Sequence, residues 1–284
     1  MSVSVLVPAK NEAANIRACL ESLRWADEIF VVDSQSTDGT PALAEAAGAK
    51  VVQFSYQPGG AKKKNWSLAN VPFRNDWVLI VDADERVPPE LATEIRDVIA
   101  RPDSADGYYL NRRLIFLGRW IRHCGWYPSW NLRLFRHRLG RYESFAVEAP
   151  NTGDNEVHEH VVLQGRAGYL RHDLLHHDYK SLFHYLERHN RYSDWDAAVF
   201  GRLRHEPLFR RDSLGGALAR KRLLKRLWVR LPFRPLLFFL YLYILRAGFL
   251  DGAAGWHFCL LASIHQYHIN LKMKEAAGLT SPPR

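Results

Sequence analysis

The chain has 284 residues, 47% of them hydrophobic and 24% charged, the make-up of a globular protein with a buried core rather than a disordered or fibrous chain. At about 150 residues per domain, that length suits two domains, or one large α/β unit with an appendage. The formal net charge of +9 is carried wholly by Arg202 to Arg234, where eleven Lys/Arg face only Glu206 and Asp212; the evenly basic fold or reading module of a nucleic-acid binder is therefore excluded.

Met1 to Pro8 runs straight into a β-type pattern, with no basic segment and apolar stretch of an export signal. Val3-Ser4-Val5-Leu6-Val7-Pro8 is a short apolar run closed by proline, the pattern of a buried strand. Ile16, Cys19, Leu20 and Leu23 then fall at helical spacing, with Asn11 as the N-cap. Glu28 to Asp33 predicts a second strand, Ser36 to Thr40 a turn and cap for a helix through Ala47, and Lys50 to Phe54 a third strand. Lys62 to Ala69 reads as helical. Trp77 to Val81 predicts a fourth strand ending on Asp82-Ala83-Asp84-Glu85, and Pro88-Pro89-Glu90-Leu91 opens another helix. Strands and helices alternating on short links imply an α/β fold, its mostly parallel central sheet flanked by helices. Ligands bind at the carboxyl ends of strands in such sheets. Glu12, Asp33, Asp38, Asp82 and Asp84 all sit at such ends.

Asp82 and Asp84, two carboxylates one residue apart at a strand end, suit a hard divalent cation that also bridges phosphate oxygens. They equally suit a helix-capping turn. Asp33 also reads as a turn former, and Glu12 as a solvated acid favoured by the helix dipole. Neither G-x-x-x-x-G-K-[ST] nor a G-x-G-x-x-G after the first strand is present. Gly59 to Asn65 is basic and glycine-bearing, either a loop that steers a pyrophosphate or a solvated one. Cys19, Cys124 and Cys259 are odd in number and far apart, which fits a reducing compartment.

Together, Pro8-Ala9-Lys10-Asn11-Glu12, Val31-Val32-Asp33-Ser34-Gln35-Ser36-Thr37-Asp38-Gly39-Thr40, Lys64-Asn65 and Val81-Asp82-Ala83-Asp84-Glu85 resemble the motifs of family 2 glycosyltransferases of the GT-A fold. Asn131 to Arg136, Val157-His158-Glu159, and His176 ahead of Tyr192-Ser193 look like the branch of bacterial lipopolysaccharide-core β-glucosyltransferases and related exopolysaccharide enzymes. The resemblance covers residues 2 to 200, and the tail more loosely. It implies a Rossmann-like GT-A sheet and a nucleotide-sugar donor. Asp33 would contact the base, with Pro8, Glu12, Asp38, Lys64 and Asp82 around the donor. Asp82 and Asp84 would hold Mg²⁺ or Mn²⁺ on the diphosphate, Asp84 more directly, neutralising the leaving nucleotide.

An inverting transfer needs a carboxylate opposite the leaving group to take the acceptor proton. The resemblance assigns that role to Glu159, with Glu156 and Asp154 as rivals, because Glu148 to Asn155 reads as extra loop before the motif. Glu156 to Val162 also alternates like a strand, so a solvent-facing Glu159 is the other reading. His158, His160, His172, His176 and His177 fit no standard zinc spacing. His176 alone is a candidate to complete the divalent site or touch phosphate. Arg133 and Arg136 are candidate phosphate clamps or plain salt-bridge partners. Trp120, Trp126, Tyr127 and Trp130 either stack on an acceptor sugar or pack under the sheet.

After Arg202 a cationic, helix-prone segment precedes Pro235 to Leu245, an apolar run of 11 residues, and a second apolar patch from Gly255 to Ile264. A spanning helix needs about 20 apolar residues. The expectation is an interfacial or re-entrant element drawn to anionic lipid; the alternative is a helical cap on the catalytic domain. The reading is thus a catalytic domain over residues 1–200, with a nucleotide-sugar half to about residue 100 and an acceptor half beyond, and a membrane-associating helical tail over 201–284. The expected activity is transfer of a hexose from a nucleotide diphosphate sugar to a glycolipid or lipid-linked saccharide, at the cytoplasmic face of the cell membrane. A polyprenyl-phosphate acceptor is the rival within enzymes. A non-catalytic nucleotide-sugar-binding partner in a polysaccharide assembly complex is the rival outside them.

Overall fold

The computed structural model describes residues 2–57, 59–143, 160–178, 180–208 and 217–278, with only the backbone over 217–222. They fall into two units, one within Met1–Arg122, Trp126–Ala146 and Gly153–Lys180, the other within His123–Gly125 and Ser181–Arg284.

The first unit opens with β1 (Val3–Ala9), α1 (Ile16–Glu21), β2 (Glu28–Asp33), α2 (Thr40–Ala46), β3 (Lys50–Gln53), α3 (Lys63–Asn70), β4 (Trp77–Ile80), β5 (Glu85–Arg86) and α4 (Pro89–Ala100). It continues through β6 (Gly107–Phe116), β7 (Arg119–Trp120), β8 (Trp130–Arg136), β9 (Gly140–Tyr142), β10 (Val161–Leu163) and β11 (Ala167–His176). The main sheet runs β3-β2-β1-β4-β8-β6-β11-β5, with β7 on β6, while β9 and β10 form a separate pair. β3, β2, β1 and β4 are parallel. β8 inserts antiparallel between β4 and β6, and β11 runs parallel to β6. Two reversals restore the direction, so β1, β2, β4, β6 and β11 present their carboxyl ends at one edge.

Side chains alternate across a strand, and the two faces of β1 sort accordingly. Val3, Val5 and Val7 pack with Ile16, Cys19 and Leu20 of α1 and with Leu91, Ile95 and Val98 of α4. Leu6 joins Val32, Val78 and Ile80 on the opposite face, beneath Leu68 and Val71. Each buried chain of this size contributes about 1.5–3 kcal/mol, so this alternation sets the register.

One expected element changes. Asn11 is not the N-cap of α1, which starts at Ile16 behind Asn15 without a side-chain cap bond. Asn11 instead takes a left-handed φ of 55° and accepts a hydrogen bond from the Thr37 amide at 2.9 Å. Asparagine tolerates that conformation, and its amide serves the neighbouring loop rather than the helix.

The second unit holds α5 (Leu182–His205), α6 (Ala217–Arg230), α7 (Arg234–Leu240), a π turn over Tyr241–Leu245, a 3₁₀ turn over Gly248–Asp251, and α8 (Gly252–Ala276). Ala197 and Phe200 of α5 meet Val229 and Ile269 in its core. That packing groups α5 with the tail helices in the unit that takes in Ser181–Arg284. Among the described residues no single helix is long and apolar enough to cross a membrane. Leu223–Arg230 and Arg234–Leu245 pass the same test only as a pair, bent by 118°.

Candidate active site

The loops after β1 and β2 interlock at the carboxyl edge. Asp33 is fully buried, and its carboxylate accepts from the Ser36 amide at 2.9 Å and from the Ser36 hydroxyl. Ser36 Oγ in turn accepts from the Asn11 amide at 2.7 Å. Asp38 accepts from the amides of Ala13 and Thr40 at 2.9 and 3.1 Å, and the Thr40 hydroxyl accepts from the Glu12 amide at 2.8 Å. Burial opposes ionisation of Asp38, but the Thr40 hydroxyl and these amides outweigh it and hold its carboxyl below the usual range. Pro8, Glu12, Asp33 and Asp38 therefore share one rigid corner.

Beyond β4 the carboxylates divide their work. Arg133 of β8 donates to Asp82 Oδ2 at 2.6 Å, and Lys64 Nζ stands 3.3 Å from Asp82 Oδ1. Burial would raise the Asp82 pKa, yet the charges of Arg133 and Lys64 pull it well below the ordinary value. Glu85 is fully buried behind it, accepting from the Asp82 amide at 2.8 Å and facing Arg112 and Arg133 at 3.5 and 3.4 Å. Arg133 Nη1 is buried and has no hydrogen-bond partner among the described residues.

Asp84 meets the end of β11 instead. Its Oδ2 lies 3.4 Å from His176 Nε2, and Asp178 Oδ1 lies 3.7 Å from the same nitrogen. The pairing of β5 with β11, His176 opposite Glu85, creates this meeting. Burial works against a charged His176, but Asp84 and then Asp178 outweigh it and lift its pKa to about 9. One ligand atom from each of Asp84, His176 and Asp178 lies within 4.8 Å of the others. Two carboxylates and an imidazole are a donor set that suits Mn²⁺ or Mg²⁺. Glu12 is held by Lys180 Nζ at 2.5 Å, and burial raises its pKa despite that cation.

The remaining candidates scatter. Arg136 lies at the far end of β8, opposite Trp77 and paired with Asp76; the antiparallel course of β8 carries it away from the carboxyl edge. Tyr127 is tied down, its hydroxyl donating to Asp173 at 3.1 Å and its ring edge-on to Trp120. Trp126 is 47% exposed on the same loop. Glu159, with its rivals Glu156 and Asp154, lies outside the described residues. Sequence reasoning missed Asp178, Lys180 and Asp173. Asp178, two positions from His176, had a local signal. Lys180 had none, being 168 residues from Glu12. Asp173 gathers Asn111 and Arg113 at 2.9 and 2.7 Å beside Tyr127, contacts that only the pairing of β6 with β11 creates.

A mostly parallel sheet flanked by helices, with acids gathered at its carboxyl edge, defines the GT-A class of glycosyltransferase. The chain belongs to glycosyl transferase family 2, whose model matches residues 4–157, more than half of its length. It is 29% identical over 283 residues to the lipopolysaccharide core biosynthesis glycosyltransferase LpsC of Rhizobium meliloti (strain 1021), a match covering 94% of this chain and 93% of that protein. An uncharacterised glycosyltransferase of Rickettsia bellii (strain RML369-C) is 34% identical over 163 residues, 56% of this chain and 52% of that protein. Among solved structures, the mannosyltransferase PcManGT of Pyrobaculum calidifontis, in complex with GDP-Man and Mn²⁺, superposes with a TM-score of 0.50. That alignment covers 95% of this chain and 86% of the other at 17% identity, and it supports the fold alone.

Proposed function

We propose that this chain is an inverting transferase that moves a hexose from a nucleotide diphosphate sugar to a glycolipid or lipid-linked saccharide in lipopolysaccharide-core or cell-surface polysaccharide synthesis. The observation that carries it is the convergence of Asp84, His176 and Asp178 within 4.8 Å, at the edge where Asp33, Asp38 and Glu12 also lie. The acceptor class is supported by the likeness to LpsC, which runs through the tail as well as the catalytic unit.

Asp33 orients the nucleotide base, while Pro8, Glu12 and Asp38 shape the pocket around it. Asp84, His176 and Asp178 hold the divalent cation, Mg²⁺ or Mn²⁺. When bound, that ion supplies Lewis-acid neutralisation of the diphosphate leaving group. His176 binds a cation only as neutral imidazole, so proton and cation compete for Nε2. Asp82 keeps Arg133 and Lys64 in place beside the donor diphosphate. Glu159 takes the proton of the acceptor hydroxyl as its oxygen bonds to the anomeric carbon and the carbon–oxygen bond to the diphosphate breaks. Trp126 and Tyr127 flank the acceptor sugar. The enzyme works at the inner face of the cell membrane, where the basic and apolar tail meets anionic lipid.

The test is release of nucleoside diphosphate from a panel of nucleotide sugars, with lipopolysaccharide-core acceptors and divalent cation, followed by proton NMR of the product anomer. The expected result is cation-dependent transfer with inverted configuration, and a Glu159→Gln variant that keeps donor binding but loses turnover by about 10²–10⁴-fold. Unchanged turnover in that variant removes Glu159 from the mechanism. A retained configuration removes the inverting scheme.

A further inference from the structure

The tail concentrates its apolar surface in one stretch. Between Leu231 and Leu271 the only formally charged residues are Arg234, Arg246 and Asp251. Arg234 and Asp251 are buried, so only Arg246 is exposed, and no acid is. The same stretch leaves large apolar side chains in water, among them Leu236, Leu245, Phe249 and Leu250, at 49–76% exposure. An apolar surface this continuous marks a contact rather than ordinary scatter.

Its borders are cationic. Exposed Lys225 precedes it and exposed Lys274 follows, next to Glu275, while Arg226 and Lys272 are paired with Glu206 and Asp194 and Arg230 donates to backbone carbonyls. An apolar centre whose one exposed charge is the cation Arg246, flanked by exposed lysines, complements an anionic bilayer. The depth agrees. Arg234–Leu245 is one leg of the bent pair, and twelve residues at about 1.5 Å each give roughly 18 Å, a little more than one leaflet of a ~30 Å hydrocarbon core.

Within this stretch α7 and α8 enclose an open groove of about 360 Å³, lined by Leu236, Phe239, Trp256, Leu260, Ile264 and Tyr267 among others. Its volume falls in the range of small-molecule sites. Trp256 and Tyr267, at 43% and 52% exposure, have the amphipathic rings that favour the membrane–water interface. We propose that this groove seats one hydrocarbon chain of an anionic bilayer phospholipid. The seat rests on the membrane reading given above but not on the identity of the sugar acceptor. It would hold the helical unit at one depth in one leaflet.

The test uses the full chain with phosphatidylcholine vesicles containing phosphatidylglycerol, part of it carrying a photoactivatable diazirine in the acyl chain. Sedimentation reads binding, and mass spectrometry maps the crosslinks. The expected result is sedimentation with the vesicles and crosslinks concentrated on α7 and α8 at groove residues. Leu260→Arg, at a surface-exposed position, should cut those crosslinks by about tenfold while leaving the unfolding temperature near that of the parent. Sedimentation with crosslinks spread elsewhere, or unchanged by Leu260→Arg, overturns the seat and leaves the membrane reading standing. No sedimentation overturns both. A dimer in solution that shields the groove from the lipid probe assigns the face to a second copy and likewise overturns the seat. None of these outcomes bears on nucleotide-sugar transfer, which the turnover assay measures separately.

Discussion

Arg133 Nη2 lies 2.6 Å from Asp82 Oδ2, and this one contact separates two aspartates that look equivalent in the D-x-D pattern. Asp82 is committed to a buried guanidinium and to Lys64. Asp84, one residue beyond Ala83, faces His176 and Asp178. Two residues apart on a continuing strand would share a face; the turn at Ala83–Asp84, closed by the Glu85 amide donating to the Asp82 carbonyl at 2.8 Å, sends the two carboxylates in different directions instead, so their substitutions should have different effects.

Asp84→Asn should weaken Mn²⁺ binding strongly, with a modest loss of stability near neutral pH because it also removes the anion that most favours charged His176. Asp82→Asn should destabilise the fold by about 1–3 kcal/mol, since Arg133 loses its closest carboxylate, with a smaller effect on the cation. Urea unfolding and titration calorimetry of both variants measure the two effects. Equal losses of cation affinity would show that Asp82 is a ligand of equal standing.

Acid should cost the fold stability at Glu28. Glu28 is buried, accepts from the Ser4 hydroxyl at 2.6 Å and the Arg74 amide at 2.7 Å, and pairs with Lys50 at 3.0 Å. Burial raises its pKa, but the Ser4 bond and then the Arg74 and Lys50 contacts outweigh it and leave the folded value lowered. A lowered folded pKa means stability that is present above the unfolded value of about 4.3 and lost as pH falls through the folded one. Glu28→Gln should therefore flatten the stability profile below about pH 4.3, seen as a smaller drop in unfolding temperature on acidification.

Asp173 should matter to stability more than its position on β11 suggests. Asp173→Ala leaves donors of Asn111, Arg113 and Tyr127 without their acceptor, at a cost of about 2–3 kcal/mol. Tyr127→Phe removes one of these bonds and should cost about 1 kcal/mol. Chemical denaturation of the two variants gives the comparison, and equal costs would show that the phenol carries the network alone.

Gly248 allows the turn before α8 to close on two thiols. A Cβ there would stand 2.8 Å from Cys259 Sγ and 2.9 Å from Cys124 Sγ. Gly248→Ala should destabilise the protein by about 1–3 kcal/mol through overpacking. Gly201→Ala, at a half-buried position of α5 where a Cβ meets nothing within 4 Å, should stabilise slightly and serves as the control.

The first four strands were legible because period and punctuation agree: Glu28 to Asp33 forms β2 over those same residues, and Asp33 and Asp82 fall at the carboxyl edge as their strand ends require. Local pattern reaches no further than local structure. Arg133 and Arg136 look alike in sequence, and only the antiparallel insertion of β8 sends one to the site and the other to the opposite edge. The Glu12–Lys180 pair spans the whole first unit, so no spacing announces it. α5 shows the same limit. Its amphipathic spacing requires a partner, but nothing in that spacing says the partner is α8.

The most direct test of the account is thermal stabilisation of the purified protein by a panel of nucleoside diphosphates and nucleotide sugars, each with and without Mn²⁺. A ligand that binds the native state raises its apparent stability, by about 2.7 kcal/mol at a hundredfold excess over Kd. Stabilisation by one nucleotide class is expected, dependent on Mn²⁺ and abolished in Asp84→Ala. Absence of stabilisation by every nucleotide, with or without the cation, would contradict it.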